Sequence, residues 1–304
     1  MNFTAKDVQA LRERTGVGMM DCKKALEASN GDTEKAVQFL REKGIAAAAK
    51  KSSRIAAEGT VAAFCEGNVG AMVEVNSETD FVAKNPAFQE FALSVAKVVA
   101  KENPADVADL LTKAFDDTMT VQQALQDRVL VIGENLTIRR FVRFDGKCVS
   151  YIHGAGRIGV MVRVEADGVS EEAVQHCGKE VAMQVAALNA AYLDKADVPA
   201  EALDAEREVL MAQIKNDPKM SSKPEAIIAK MVEGRVGKYY ENNCLMQQAF
   251  AREPEISVGE FVARSAKEAG GTIRIAEYVR YERGEGLQKR EDNFAEEIAK
   301  MTQQ

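Results

Sequence analysis

Apolar positions recur every three to four residues over the opening part of the chain and every second residue in several later stretches. The pattern therefore predicts a helical start followed by a body with strands. Thr4 begins the run TAKDVQALRERTG, with Asp7 spaced for a capping box and Gly16 as the stop. MMDCKKALEASNG follows and closes at Asn30-Gly31, and Asp32 caps DTEKAVQFLREKG, which ends at Gly44. Val8, Leu11, Ala25, Leu26, Ala36, Val37 and Leu40 fall at helical spacing and predict one shared core. The stretch 45–54, IAAAAKKSSR, reads as a helix-prone basic linker.

The rest of the chain is written twice. GTVAAFCEGNVGAMVEVN is a pair of β-rich runs joined at Glu66-Gly67-Asn68, a helical stretch covers 87–101, and NLTIRRFVRFDG closes the set as a lone strand. Further on, KCVSYIHGAGRIGVMVRVE is again strand, glycine-containing turn and strand. SEEAVQHCGKEVAMQVAAL is again a helix, and TIRIAEYVRYERG echoes TIRRFVRFDG. Two related α+β subdomains follow from this, each a small antiparallel sheet covered by helices. The second copy carries an insertion at about 198–240 with no strand pattern. Its two helix-period runs flank DPKMSSKP, and Leu203, Leu210 and Ile214 are expected to face Ile227, Ile228 and Met231 in a projecting helical hairpin. Such a hairpin either packs only on itself or offers a surface for self-association or a partner.

Composition narrows the class. The 304 residues are 46% hydrophobic and 29% charged, ordinary for a globular protein with two or three cores. No apolar run is long enough to span a bilayer, and MNFTAKDVQALRER lacks the apolar segment of a signal peptide. Five well-separated cysteines read as reduced thiols of a cytoplasmic protein, mostly small buried hydrophobes, with no metal-ligand spacing among them. A net charge of −7 argues against a chain built to grip nucleic acid. Positions 1–54 nevertheless hold eleven Lys and Arg against seven Asp and Glu, a balance of +4 that leaves −11 for the remainder. A basic module on an acidic body suggests two surfaces with different partners, or simply a solvated face.

Candidate chemistry is sparse. Gly154 to Gly159 spell G-x-G-x-x-G, but a strand pattern follows where dinucleotide binding needs a helix, so a hairpin turn is expected. His153, just before this turn, has no local carboxylate or nucleophile and reads as a polar contact or a hydrogen-bonded turn residue. In TGVGMM, Met19 and Met20 follow two glycines at a turn, as an adaptable contact surface or as caps on the helical core. NSETDFVAKN, at 76–85, places Phe81 directly after Asp80 in a polar join between strand and helix. Phe81 is then either an inward anchor or a probe offered to another molecule.

With these motifs in view, the chain resembles the bacterial elongation factor Ts family over essentially its whole length. The carriers are LRERTGVGMMDCKKAL, EVNSETDFVAKN, IGENLTIRR, HGAGRIGV, MVEGR and a late GEG, in this order. The resemblance implies a nucleotide-exchange factor for the translational GTPase elongation factor Tu, with no bond made or broken, no cofactor, no metal and no catalytic residue. It implies a ubiquitin-associated-like three-helix module with its linker at 1–54, core subdomains at 55–145 and 146–286, a coiled-coil hairpin, and a helical tail at 287–304. It also implies that Thr79, Asp80, Phe81 and Val82 enter the GTPase beside its magnesium and nucleotide, with Phe81 as wedge. Arg12, Met19, Met20, Lys23, Ile132, Gly133, Asn135 and His153 become further partner contacts, and the hairpin a means of dimerising the complex. Two rivals stand beside this: a dinucleotide-dependent enzyme using the glycine turn, and an adaptor acting through the basic N-terminal module.

Overall fold

A computed structural model describes residues 2–217 and 223–288, so nearly all of the tail expected at 287–304 lies outside the described residues. Three helices come first: α1 (Ala5–Thr15), α2 (Met19–Ala28) and α3 (Thr33–Lys51). Thr4 and Asp7 form the reciprocal capping box, and Gly16, at φ 69°, ends α1 in the left-handed conformation. Val8, Leu11, Cys22, Ala25, Leu26, Ala36 and Leu40 bury one another in a small core.

The first half of the body is β1 (Glu58–Glu66), β2 (Val69–Ser77), α4 (Asp80–Ala83), α5 (Pro86–Glu102), α6 (Val107–Thr112), α7 (Val121–Ile132) and β3 (Thr137–Asp145). The second is β4 (Lys147–His153), β5 (Ile158–Asp167), α8 (Glu171–Leu188), α9 (Ala200–Asn216), α10 (Glu225–Asn243), β6 (Ala249–Phe250), β7 (Glu253–Ser257), α11 (Val258–Ala269) and β8 (Thr272–Glu282). Each half holds a three-stranded antiparallel sheet, ordered β1-β2-β3 and β4-β5-β8. The class is α+β.

The stop expected at Gly44 does not occur; α3 runs through it to Lys51, so most of the expected linker is helix. Glycine serves here for closeness of approach: a Cβ at Gly44 would lie 3.3 Å from the Gln126 carbonyl oxygen of α7. The N-terminal bundle is thus laid against the body along α7, with Ala48 packed on the first core and Leu130 on the bundle's.

Alternation along the central strands divides the body into layers. Ala71, Val73 and Val75 of β2 face α5 and α7, and Val160, Val162 and Val164 of β5 face α8 and α11. The opposite faces of the two sheets meet through Val61, Met72, Cys148, Met161 and Tyr281. Closeness there depends on two equivalent glycines. A Cβ on Gly70 would meet the Met161 sulfur at 2.7 Å, and one on Gly159 would meet the Met72 sulfur at 2.9 Å. The sequences GAMVEV and GVMVRV carry this exchange of small and large residues. Both sheets shift register at the same place, between Glu74 and Val75 and between Arg163 and Val164. Just before the shift Glu74 pairs with Arg140, while its counterpart Arg163 pairs with Glu277, so the ion pair is reversed between the halves.

The inserted helices α9 and α10 pack on each other through Leu210, Ile214, Ile228, Val232 and Val236, with Leu203 and Met231 partly buried beside them. Ile227, expected in this seam, is instead 46% exposed, because Ile228, Val232 and Val236 repeat every fourth residue and define a stripe that excludes its neighbour. No described helix is long and apolar enough to cross a membrane. All five cysteines are free, and burial pushes the Cys148 thiol up to about 12 and that of Cys177 to about 11. Such thiols are packing groups without nucleophilic character at neutral pH.

Candidate functional site

β2 ends at Ser77, and two residues later Thr79 caps the single turn α4 by accepting from the Val82 amide at 3.4 Å. Successive side chains in a helix diverge by about 100°. Ala83 is buried and Val82 packs on the first core, so Phe81 is turned to solvent and is 83% exposed. The inward-anchor alternative for Phe81 is thereby excluded. Asp80 bonds Lys84 at 2.6 Å, and that contact holds its carboxyl below the usual carboxylate range.

The loop before Phe81 is held from the end of α7. Gly133, at φ 84°, terminates that helix and redirects the chain. Glu134 then reaches back: one carboxylate oxygen accepts from the amides of Glu78 and Thr79, both at 3.0 Å, and the other from the Thr79 hydroxyl at 2.6 Å. The Asn135 amide donates to the Glu78 carboxylate at 2.6 Å, and the Asn135 side chain donates to the Arg54 carbonyl at 2.8 Å. Asn135 is itself buried, so it supports the loop from beneath, and Ile132 likewise packs into the first core. Gly133 is the exposed member of this corner. Glu134, Glu78 and Arg54 are not apparent as site residues from sequence. The available signal is a carboxylate directly after a helix-ending glycine inside the IGENLTIRR motif.

The N-terminal candidates lie on α1 and α2. Arg12 is exposed, Met19 and Met20 are 43% and 62% exposed at the start of α2, and Lys23 is half-buried with Glu27 at 3.8 Å. The methionines therefore do not cap the bundle core. The Cβ missing from Gly16 would lie 3.9 Å from Val131, so the last turn of α7 touches the bundle, while Glu134, just after its cap, touches the Thr79 loop.

The glycine-rich motif is a turn between β4 and β5, with Gly154, Ala155 and Gly156 all at positive φ and strand resuming at Ile158. No helix N-terminus is available there for a pyrophosphate. The turn docks on β1: the Gly156 carbonyl accepts from the Val61 amide at 2.8 Å, and a Cβ on Gly156 would fall 1.9 Å from the Thr60 hydroxyl oxygen. His153 is exposed, with its Nδ1 3.0 Å from the Tyr151 hydroxyl. Arg283 ties this turn toward the Thr79 loop. Its amide donates to the Arg157 carbonyl, its guanidinium pairs with Glu58 at 2.9 Å, and its charge acts on Asp80. Gly156→Ala should cost about 1–3 kcal/mol through the clash and the positive φ, and neither form should bind a dinucleotide. Melting curves and an NAD titration check both, and micromolar NAD binding by the unmodified protein would overturn the turn assignment.

Among the described residues no group of His, Cys, Asp and Glu is placed to hold a metal ion. The arrangement offers an exposed aromatic on a braced turn, and elsewhere on the surface an exposed methionine pair and an exposed histidine. The family described as Elongation factor TS matches residues 78–285. Elongation factor Ts of Clostridium botulinum (strain Eklund 17B / Type B) is 48% identical, covering 98% of this chain and 99% of that protein. Elongation factor Ts of Clostridium perfringens (strain SM101 / Type A) is 49% identical with the same coverage, and that of Syntrophotalea carbinolica is 45% identical over 99% of this chain and all of that protein.

Proposed function

The chain belongs to the elongation factor Ts family, and from that membership we propose that it is a guanine-nucleotide exchange factor for the translational GTPase elongation factor Tu, working in the cytoplasm. Thr79 to Val82 enter beside the GTPase's nucleotide, with Phe81 as wedge and Asp80 as its polar companion. A magnesium ion bridging phosphates is a large local charge, so disturbing its ligand shell weakens GDP binding. The factor breaks no bond. It binds the empty GTPase more tightly than the loaded one, and GTP then refills the site. The observation that carries this reading is the exposure of Phe81 on a turn whose entry, Glu78 and Thr79, is held by three hydrogen bonds to Glu134. Release of a fluorescent GDP analogue from elongation factor Tu, with and without the factor, tests it; an unchanged release rate sinks it.

Positions 1–54 act as the ubiquitin-associated-like docking module, 55–145 and 146–286 as the core subdomains, and the hairpin near 198–240 as a coiled coil able to dimerise the complex. Arg12, Met19, Met20 and Lys23 dock on the GTPase, and Gly133 and His153 complete the contact, with Ile132 and Asn135 serving it from beneath as supports of that corner. The laying of α3 along α7 supports a single continuous surface over an adaptor that uses the bundle alone. Replacing Met19 and Met20 together by alanine should change melting little, since neither side chain belongs to the bundle core. It should weaken binding about tenfold by titration calorimetry. An unaltered dissociation constant would remove the methionines from the interface.

A further inference from the structure

Phe81 is nearly free of contacts of its own, yet its aim is fixed, and Glu134 accounts for that. A one-turn helix has too few internal hydrogen bonds to persist unaided. The cap that starts α4 is the Thr79 hydroxyl, which must present a lone pair to the Val82 amide. It does so because its proton is already given to Glu134 at 2.6 Å. The second Glu134 oxygen takes the two preceding amides, Glu78 and Thr79. All three donors are satisfied by one carboxylate that follows the α7 cap directly in the chain. The carboxylate has no cation of its own among these contacts, so its work is on the loop. Glu78, the neighbouring acid, is instead bonded to Arg54 and the Asn135 amide.

We infer that Glu134 is a positioning residue for exchange: it holds residues 78–79 so that Phe81 projects in its working direction before the partner arrives. This rests on the reading of Phe81 as the wedge. Preorganisation acts on the fraction of molecules ready to bind, so its loss raises the concentration of factor needed while leaving the fully bound state competent.

Glu134→Gln tests the assignment, because the amide keeps the volume but loses the charge and presents one acceptor oxygen where the carboxylate presents two. Stimulated GDP release is measured against factor concentration for the unmodified protein, for Glu134→Gln, for Phe81→Ala and for the double variant. Hydrogen exchange of the Glu78 and Thr79 amides is followed in the free proteins. The half-saturating concentration should rise about tenfold in Glu134→Gln with the limiting rate retained, since charge-assisted bonds are being lost. The two amides should exchange faster. In the Phe81→Ala background the same change should have little further effect. Unaltered half-saturation and unaltered amide exchange, with Phe81→Ala still defective, would overturn the role of Glu134 alone. Normal release by Phe81→Ala would overturn the wedge reading on which it rests. A Glu134→Gln protein that fails to fold would make Glu134 a general structural residue and also overturn the assignment.

Discussion

Phe81→Ala is expected to slow stimulated GDP release more than about tenfold at subsaturating factor, while the free protein melts almost as before. The second half follows from exposure: the ring is 83% accessible, and such surface replacements usually stay within about 0.5 kcal/mol. A ring of that size buried among the helices would instead cost about 3–5 kcal/mol on removal. The first half follows from what an aromatic does at the centre of an interface, where truncation commonly costs about 2 kcal/mol or more, beyond one decade in affinity. Asp80→Ala should act in the same direction more weakly, because water can replace part of a polar contact. Coupling adds a check free of rate assumptions. The factor by which this protein weakens GDP binding must equal the factor by which GDP weakens binding of this protein. Both factors should shrink together in Phe81→Ala. A variant that melts far lower yet releases GDP normally once folded would mean the ring serves this protein's own stability.

Glu74→Ala should have the opposite profile: a loss of about 3–5 kcal/mol in stability, typical of removing one partner from a buried charged network. The Glu74 carboxylate is fully buried and accepts from Asn76 at 3.1 Å, Arg139 at 3.0 Å, Arg140 at 2.6 Å and the Gly284 amide at 2.8 Å. Those donors come from β2, β3 and the segment after β8, so one side chain joins the two sheets. Arg140 also lies 4.1 Å from the centre of the Tyr281 ring and would keep only the half-exposed Glu285, at 3.2 Å, as an ionic partner. Urea unfolding is the measurement, and a loss below about 1 kcal/mol would show that the arginines find other partners.

Much of the framework is legible in the sequence, for local reasons. The capping box at Thr4 and Asp7, the two-residue turn at Gly67-Asn68 and the duplicated strand patterns are properties of neighbours along the chain. Phe81 stands out because an aromatic in a polar join is locally anomalous. What stays hidden depends on segments far apart. Gly44 carries the local signature of a helix end, but its reason is the Gln126 carbonyl pressed against it. Ile227 and Ile228 look interchangeable until the partner helix selects one stripe. Glu134 cannot be assigned from its neighbours, since its work is done on residues more than fifty positions earlier.

The reversed ion pairs bear on how a duplicated chain avoids assembling itself wrongly. Strands β3 and β8 resemble each other closely enough that each could be drawn into the other's place beside β2 or β5. The exchanged arrangement would set Glu74 opposite Glu277 and Arg163 opposite Arg140. Like charges facing each other in neighbouring strands, one of them fully buried, penalise that arrangement, whereas the native pairing satisfies both. The glycine and methionine knobs cannot make this distinction, being the same in both halves. In a sequence written twice the charge pair is thus inverted at the register position where both sheets carry their bulge, and that inversion favours each strand's native partner.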